Sequence, residues 1–150
     1  MYALVLSRPG ALGPALRRSQ HNCVVYLEGR RSNITADEPR DSVGRRLCTE
    51  RHDFSQRPTL AVRGAGDLKD LVASVQGFLP KDRPVLDMTD LSGNFEWALS
   101  FSMTTSTAHA DSVVPSILTA LPEQLGLKLD PRAMALEVLV IESVSMPSPD

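Results

Sequence analysis

The sequence predicts an α+β fold in which two successive helix–strand–strand units place their helices on one face of a mixed or antiparallel sheet. Apolar residues recur at helical spacing over residues 68–79 and again over 114–125. A strand pattern follows each stretch, most clearly at 95–101, where apolar residues alternate with Glu96, Ala98 and Ser100. Composition and length are those of one ordinary domain covering 1–150.

The first unit begins with Asp67, whose short carboxylate can accept hydrogen bonds from the first turn of a helix. Gly77 and Pro80 favour an end to this helix. A first strand is predicted at Pro84–Leu86, and the turn residues 90–93 separate it from the alternating second strand.

The second unit repeats this plan with one conflict. Pro122 removes a backbone donor inside the helical stripe, so we expect it to kink or split the helix. Gly126 suits the left-handed position that ends a helix. A short strand is predicted at 127–129, and the strongly apolar segment 137–142 predicts a strand buried on both faces.

The amino-terminal half is less regular. Strands are predicted at Tyr2–Leu6, Cys23–Leu27 and Thr59–Val62, with residues 64–66 forming a tight turn into the first helix. Residues 28–57 are polar, Arg-rich and weakly patterned, which predicts a long surface loop or a partly disordered insertion.

Two parts of the chain carry a family resemblance. The run at 82–95 and the closing segment at 116–129 and 137–141 resemble a soil-associated bacterial domain of unknown function that is expanded in acidobacteria. Tyr2–Leu6 resembles a strand near the middle of that domain. The resemblance implies export, a relation to sensor portions of membrane peptidases, and a chain that corresponds to the C-terminal part of a longer family domain.

According to this resemblance, Tyr2–Leu6 is the closing strand of an earlier helix–strand–strand unit whose helix and first strand are missing. A strand without its partner exposes unpaired backbone groups, so we expect Tyr2–Leu6 to pair either with the strand at 136–144 or with another chain, through self-association or an unknown protein partner. The sequence contains no transmembrane segment and no signal peptide, which indicates a cytoplasmic protein if the chain is complete. The resemblance implies a periplasmic or extracellular location instead.

The export that the resemblance implies allows Cys23 and Cys48 to form one disulfide, although two free thiols remain the alternative. A hydrolase would need a nucleophile paired with a base, and His21, His52 and His109 all fall in segments predicted as loop. No recognised catalytic motif surrounds these histidines in the sequence. We therefore predict no catalytic, cofactor-binding or metal-binding residues.

Charge is distributed unevenly along the chain. Residues 1–64 hold 11 Arg and 6 acidic residues, whereas residues 65–150 hold 5 Lys or Arg and 12 acidic residues. A solvated basic loop beside an acidic body explains this uneven distribution. The alternative is that arginines of the loop form a binding patch for an anionic partner. That patch would consist of Arg30, Arg31, Arg40, Arg45 and Arg46. No aromatic residue is interleaved among these arginines, so nucleic acid is an unlikely partner.

These observations favour a non-catalytic interaction or sensor domain of the bacterial cell envelope. A hydrolase that uses the His- and Cys-bearing loops and a nucleic-acid binder that uses the basic loop are the two alternatives. The absence of a nucleophile–base motif in the sequence disfavours the first alternative, and the absence of interleaved aromatics disfavours the second.

Overall fold

A computed structural model describes residues 1–23, 26, 38–40, 42–103 and 114–133, and the predicted α+β class is confirmed. The strands are β1 (Tyr2–Leu6), β2 (Leu16–Arg18), β3 (Arg51–Asp53), β4 (Thr59–Gly66), β5 (Val85–Asp87), β6 (Phe95–Ser102) and β7 (Leu127–Pro131). The helices are α1 (Leu68–Gln76) and α2 (Ile117–Ala120), and α2 continues as a π-helix over Leu121–Leu125. The predicted strand at 137–142 lies outside the described residues.

The strands form two sheets rather than one. The first has the order β5–β1–β7, with β1 parallel to β5 and antiparallel to β7. The second has the order β2–β6–β4–β3 and is antiparallel throughout. The two strands that follow α1 therefore lie in different sheets, and the first unit is not a helix followed by a hairpin.

The prediction of an open Tyr2–Leu6 edge is wrong. Strand β1 is the central strand of its sheet, and Leu4 is fully buried. Its backbone is paired on both sides within the chain, for example through the Met88 N–H, which donates to the Leu4 carbonyl at 2.9 Å. The backbone of Tyr2–Leu4 therefore has strand partners on both sides within the chain and is not an open edge.

Helix α1 begins where local chemistry predicts. The Asp67 carboxylate accepts from the Asp70 N–H at 3.0 Å, and the Asp70 carboxylate accepts from the Asp67 N–H at 3.2 Å, which completes a reciprocal cap. The buried stripe of the helix is Leu68, Leu71 and Val75. The predicted glycine turn at 64–66 is wrong, because β4 continues through these residues to Gly66.

Pro122 changes the helix type, as its missing donor predicts. The α-helical segment ends at Ala120, and the chain continues as a wider π-helix. Gly126 then ends the helix with φ 70°, the left-handed conformation expected there. Within the π-helix, the side-chain amide of Gln124 forms two hydrogen bonds of 2.8 Å with the Ser100 backbone, one as donor and one as acceptor.

The predicted strand at Cys23–Leu27 is wrong for Cys23 and Tyr26, which have helical backbone. Strand β3 falls inside the segment 28–57 and pairs with β4. Residues 28–37 and 41 lie outside the described residues, so the extent of the loop in this segment stays a prediction.

Two glycines allow the loop before β2 to cross the end of the π-helix. The Gly13 N–H donates to the Leu125 carbonyl at 2.9 Å. A Cβ atom on Gly13 would lie 2.4 Å from backbone atoms of residues 124–126, and a Cβ atom on Gly126 would lie 2.5 Å from the Gly13 nitrogen. Only hydrogen at both positions permits this approach.

We expect Gly126→Ala to be clearly more destabilising than Gly10→Ala, although both residues have positive φ. Each substitution is expected to lower the free energy of unfolding by about 1–2 kcal/mol, because a residue with a Cβ atom disfavours the left-handed conformation. At Gly126 the backbone overlap adds about 1–3 kcal/mol, whereas a Cβ atom at Gly10 meets nothing within 4 Å. Urea unfolding of the two variants measures the difference, and equal losses of unfolding free energy would contradict the close backbone crossing.

Candidate anion-binding pocket

The register of the antiparallel sheet places charged residues on one of its faces. Residues directly opposite each other in neighbouring strands point to the same face. Arg17 pairs with Glu96, Arg63 pairs with Ala98, and Arg63 also pairs with Arg51 on its other side. We call this the outer face of the sheet, because the alternating residues Phe95, Trp97, Leu99 and Phe101 are buried on the opposite, inner face.

A disulfide joins residues 42–50, a segment that we call the strap, to the segment that follows β2. Cys23 and Cys48 are bonded, with their Cα atoms 5.2 Å apart, which confirms the predicted pairing. The two cysteines are buried in a small cluster with Ala65 of β4, and Leu47 packs against it. The disulfide thus sets the position of the strap relative to β4.

Glu38 provides a second anchor for the strap. Its carboxylate accepts from the Thr49 N–H at 2.6 Å and from the Tyr26 hydroxyl at 3.2 Å, and it lies 3.7 Å from the Arg46 guanidinium. Partial desolvation alone would raise the pKa of the Glu38 carboxyl. The hydrogen bonds from Thr49 and Tyr26 and the charge of Arg46 outweigh it and hold this pKa below its ordinary value.

This shift predicts a stability contribution that depends on pH. Because the folded pKa of Glu38 is lowered, its contribution is fully present above the unfolded pKa and is lost as pH falls through the folded pKa. We expect Glu38→Gln to flatten the acid limb of a plot of unfolding free energy against pH below about pH 4.5. Glu123→Gln is the matched control, and equal acid limbs in wild type and Glu38→Gln would contradict this role.

Between the strap and the outer face lies a cavity of about 430 Å³. Five arginines line it, together with a single carboxylate, that of Glu96. The full lining is Pro14, Ala15, Arg17, Arg45, Arg46, Leu47, Thr49, Arg51, Arg63, Gly64, Glu96, Trp97 and Ala98. Five like charges around one cavity repel one another, and an anion in the cavity would relieve that repulsion.

Few carboxylates offset these guanidinium groups among the described residues. Glu96 lies 4.0 Å from Arg17 and also accepts from the Ser19 hydroxyl at 2.7 Å. Asp53 accepts from the Ser55 N–H at 2.8 Å, and this bond together with the charge of Arg63 lowers the pKa of Asp53. Glu38, which lies 3.7 Å from the Arg46 guanidinium, is a third carboxylate beside an arginine of the pocket.

The arginine patch expected from the sequence maps only in part onto this pocket. Arg45 and Arg46 line it, whereas Arg40 is exposed outside it and donates to the Gly44 carbonyl at 2.8 Å. Arg30 and Arg31 lie outside the described residues. The sequence did not indicate the three pocket arginines that lie on the sheet, Arg17, Arg51 and Arg63. They are distant in the chain, and only the register of the strands brings them together.

The histidines and cysteines form no catalytic pair among the described residues. Both sulfur atoms are in the disulfide, so neither is a thiolate nucleophile. His52 lies on β3, where its Nε2 is 2.6 Å from the Glu50 carboxylate and its ring contacts Phe54 and Phe78. His21 is exposed, and His109 lies outside the described residues.

The described part of the chain contains neither a metal-binding cluster nor a membrane-spanning helix. No group of three or more His, Cys, Asp or Glu side chains is placed to hold a metal ion there. No helix there has both the length and the apolar character required to cross a membrane.

Fold and pocket together define a class of protein: an α+β domain with a disulfide-anchored strap over an arginine-lined cavity. The chain belongs to the family described as protein of unknown function (DUF3738), whose model matches residues 1–144. No curated protein and no solved structure matches the chain.

Proposed function

We propose that this chain is a non-catalytic interaction or sensor domain of the bacterial cell envelope, and that it binds an anion in the arginine pocket. The observation that carries the proposal is the convergence of five arginines on one cavity of about 430 Å³, a volume typical of small-ligand sites. Guanidinium groups bind carboxylate and phosphate groups through paired N–H donors, and they do not act as general bases.

The disulfide supports the proposed location. Disulfides persist in secreted and periplasmic proteins and are rare in the reducing cytosol. Cys23 and Cys48 are buried as a bonded pair and hold the strap that forms one wall of the pocket. A periplasmic or extracellular location is therefore consistent with the disulfide of this chain.

The pocket favours a binding role over both alternatives. A hydrolase would need a free nucleophile beside a base, and the two cysteines are bonded to each other. Single-stranded nucleic acid is bound through exposed aromatic rings, and the one aromatic residue in the lining, Trp97, is only 4% exposed.

Trp97 makes the proposal testable, because it is the single tryptophan of the chain and it borders the pocket. We expect sulfate, phosphate or citrate to change its fluorescence with a saturable dependence, at constant ionic strength set with chloride. Arg63→Gln should weaken citrate binding at least about tenfold, a loss of about 1.4 kcal/mol.

Arg8→Gln is the matched control, because it removes one positive charge from an exposed position outside the pocket. It should bind citrate as the wild type does. Equal weakening by Arg8→Gln and Arg63→Gln would show that net charge, rather than the pocket, attracts anions. The absence of saturable binding for all three anions would refute the proposed function.

A further inference from the structure

One row of residues crosses the strands on the sheet side of the cavity. Arg51 of β3 is directly opposite Arg63 of β4, and Arg63 is directly opposite Ala98 of β6. The Ala98 N–H donates to the Ala15 carbonyl at 3.0 Å, so Ala15 continues the row just before β2. All four residues line the cavity, and we call them the cross-strand row. Its cationic half and its apolar half are each about one strand spacing, 4.8 Å, across.

Positive charge is crowded in the cationic half of the row. Like charges directly opposite each other in an antiparallel pair are destabilising, because both side chains extend from the same face. Arg51 donates to the Arg46 carbonyl, a neutral acceptor that does not offset the charge of the guanidinium. The charge of Arg63 lowers the pKa of Asp53, which is exposed, so water screens this attraction. An acid group between the two guanidinium groups would accept from both and relieve their repulsion.

The remaining arginines of the cavity have other partners. Arg17 lies 4.0 Å from the Glu96 carboxylate, and Arg46 lies 3.7 Å from the Glu38 carboxylate. Arg45 is engaged in an interaction as well. These three add to the positive potential of the cavity, but the repulsion that a bound acid group would relieve most is that of the cationic half of the row.

The apolar half of the row is extended by other apolar groups of the lining. Pro14 precedes Ala15 in the chain, and Leu47 contributes apolar surface from the strap. Leu47 packs against the buried disulfide cluster, which holds it at the cavity. A hydrocarbon group placed here would remove apolar surface of both the sheet side and the strap side from water, and that burial favours binding.

We infer that the ligand is an organic monoanion, with one singly charged acid group on a short apolar body. This inference rests on the proposed function and specifies the ligand of the same pocket. The acid group accepts from Arg51 and Arg63, and the apolar body lies between Ala98 and Leu47. The cavity of about 430 Å³ is more than ten times the roughly 30 Å³ that a water molecule occupies in the liquid, which leaves room for both parts.

The first test holds the acid group constant and varies the apolar body. Acetate, butyrate, hexanoate and octanoate are titrated at constant ionic strength, with Trp97 fluorescence and backbone-amide NMR shifts as readouts. We expect affinity to rise at least about fivefold from butyrate to hexanoate, since each fully buried methylene contributes roughly a factor of four. Hexanamide, which has the body without the charge, should bind at least about tenfold more weakly than hexanoate. Hexanesulfonate, run beside hexanoate, determines whether a tetrahedral or a planar acid group is preferred.

Substitutions in the sheet separate the two halves of the row. Ala98→Leu fills the apolar half, so it should weaken hexanoate binding at least about tenfold more than sulfate binding. Ala61→Leu is the matched control, because Ala61 is on the same face of β4 as Arg63 but outside the cavity lining, and it should change neither affinity. Arg51→Gln removes a direct partner of the acid group and should weaken the binding of both anions.

A wild-type measurement makes the test independent of whether these variants fold. Hexanoate should shift the amide resonances of Ala98 and Leu47, whereas acetate should act mainly on those of Arg51 and Arg63. Shifts from acetate and hexanoate that are identical at all four residues would contradict a separate apolar half.

The outcomes separate this inference from the proposed function. Equal affinities along the chain-length series, or adipate binding at least about tenfold more tightly than hexanoate, would overturn the monoanion inference while the anion-binding function stands. Equal binding of hexanamide and hexanoate would also overturn it, because the acid group would then not be recognised. Failure of every anion to bind, sulfate, phosphate and citrate included, would refute both.

Discussion

Replacing both cysteines, as Cys23→Ala with Cys48→Ala, is expected to lower the free energy of unfolding by about 3–4 kcal/mol. The bond closes a loop with a sequence separation of 25, and this cross-link restricts the unfolded chain by roughly that amount. The variant also frees the strap from β4, so we expect anion binding in the pocket to weaken at least tenfold. Urea unfolding and Trp97 fluorescence titration measure the two effects.

Reductant provides the matched control for this prediction. Wild-type protein in reductant should approach the stability of the double variant, whereas reductant should not change the double variant itself. A loss below about 1 kcal/mol would mean that the strap is held mainly by its other contacts, such as those of Glu38 with Thr49 and Arg46. Normal citrate affinity in the double variant would mean that the disulfide does not position the strap arginines Arg45 and Arg46 in the pocket.

Phe95→Ala is expected to cost about 3–5 kcal/mol of unfolding free energy. The side chain of Phe95 is 0% exposed and belongs to the main core cluster. It lies on β6 between β2 and β4, paired with Arg18 on one side and Gly66 on the other. Truncation would leave a cavity where the four-stranded sheet packs onto the helices, and thermal or urea unfolding measures the loss.

Phe54→Ala is the matched control, because it makes the same chemical change at a site that is 42% exposed. We expect this variant to lose less than about 1 kcal/mol. Similar losses at both positions would contradict the central place of β6 in the core. Phe95→Ala should also weaken citrate binding, because the same strand carries Glu96 and Ala98 into the pocket.

The pocket lies between paired strands and the strap, an arrangement that would suit the proposed sensor role. Three of its arginines are on paired strands, whereas two are on the strap, which is held by the disulfide, by Glu38 and by the backbone pairing of Arg40 with Arg46. An anion bound between the sheet and the strap would have different affinities for conformations that differ in strap position, and the proposed sensor role requires such a difference.

The sequence by itself determined the features that depend on near neighbours in the chain. The α+β class, the buried stripe of Leu68, Leu71 and Val75, the Asp67 cap and the left-handed Gly126 all follow from contacts within about one helical turn. The disruption of the helix at Pro122 follows from the same kind of local chemistry.

Only the tertiary structure decided which strands are neighbours and which side chains share a face. Strand β1 was expected to have an open edge, yet it is covered on both sides by β5 and β7. The part of the pocket that the sheet forms likewise depends on residues far apart in the chain, since Arg17 lies beside Glu96 and Arg63 beside Ala98. Alternation along a strand indicates its two faces but not its partner or register, so a pocket built across strands cannot be found from local patterns.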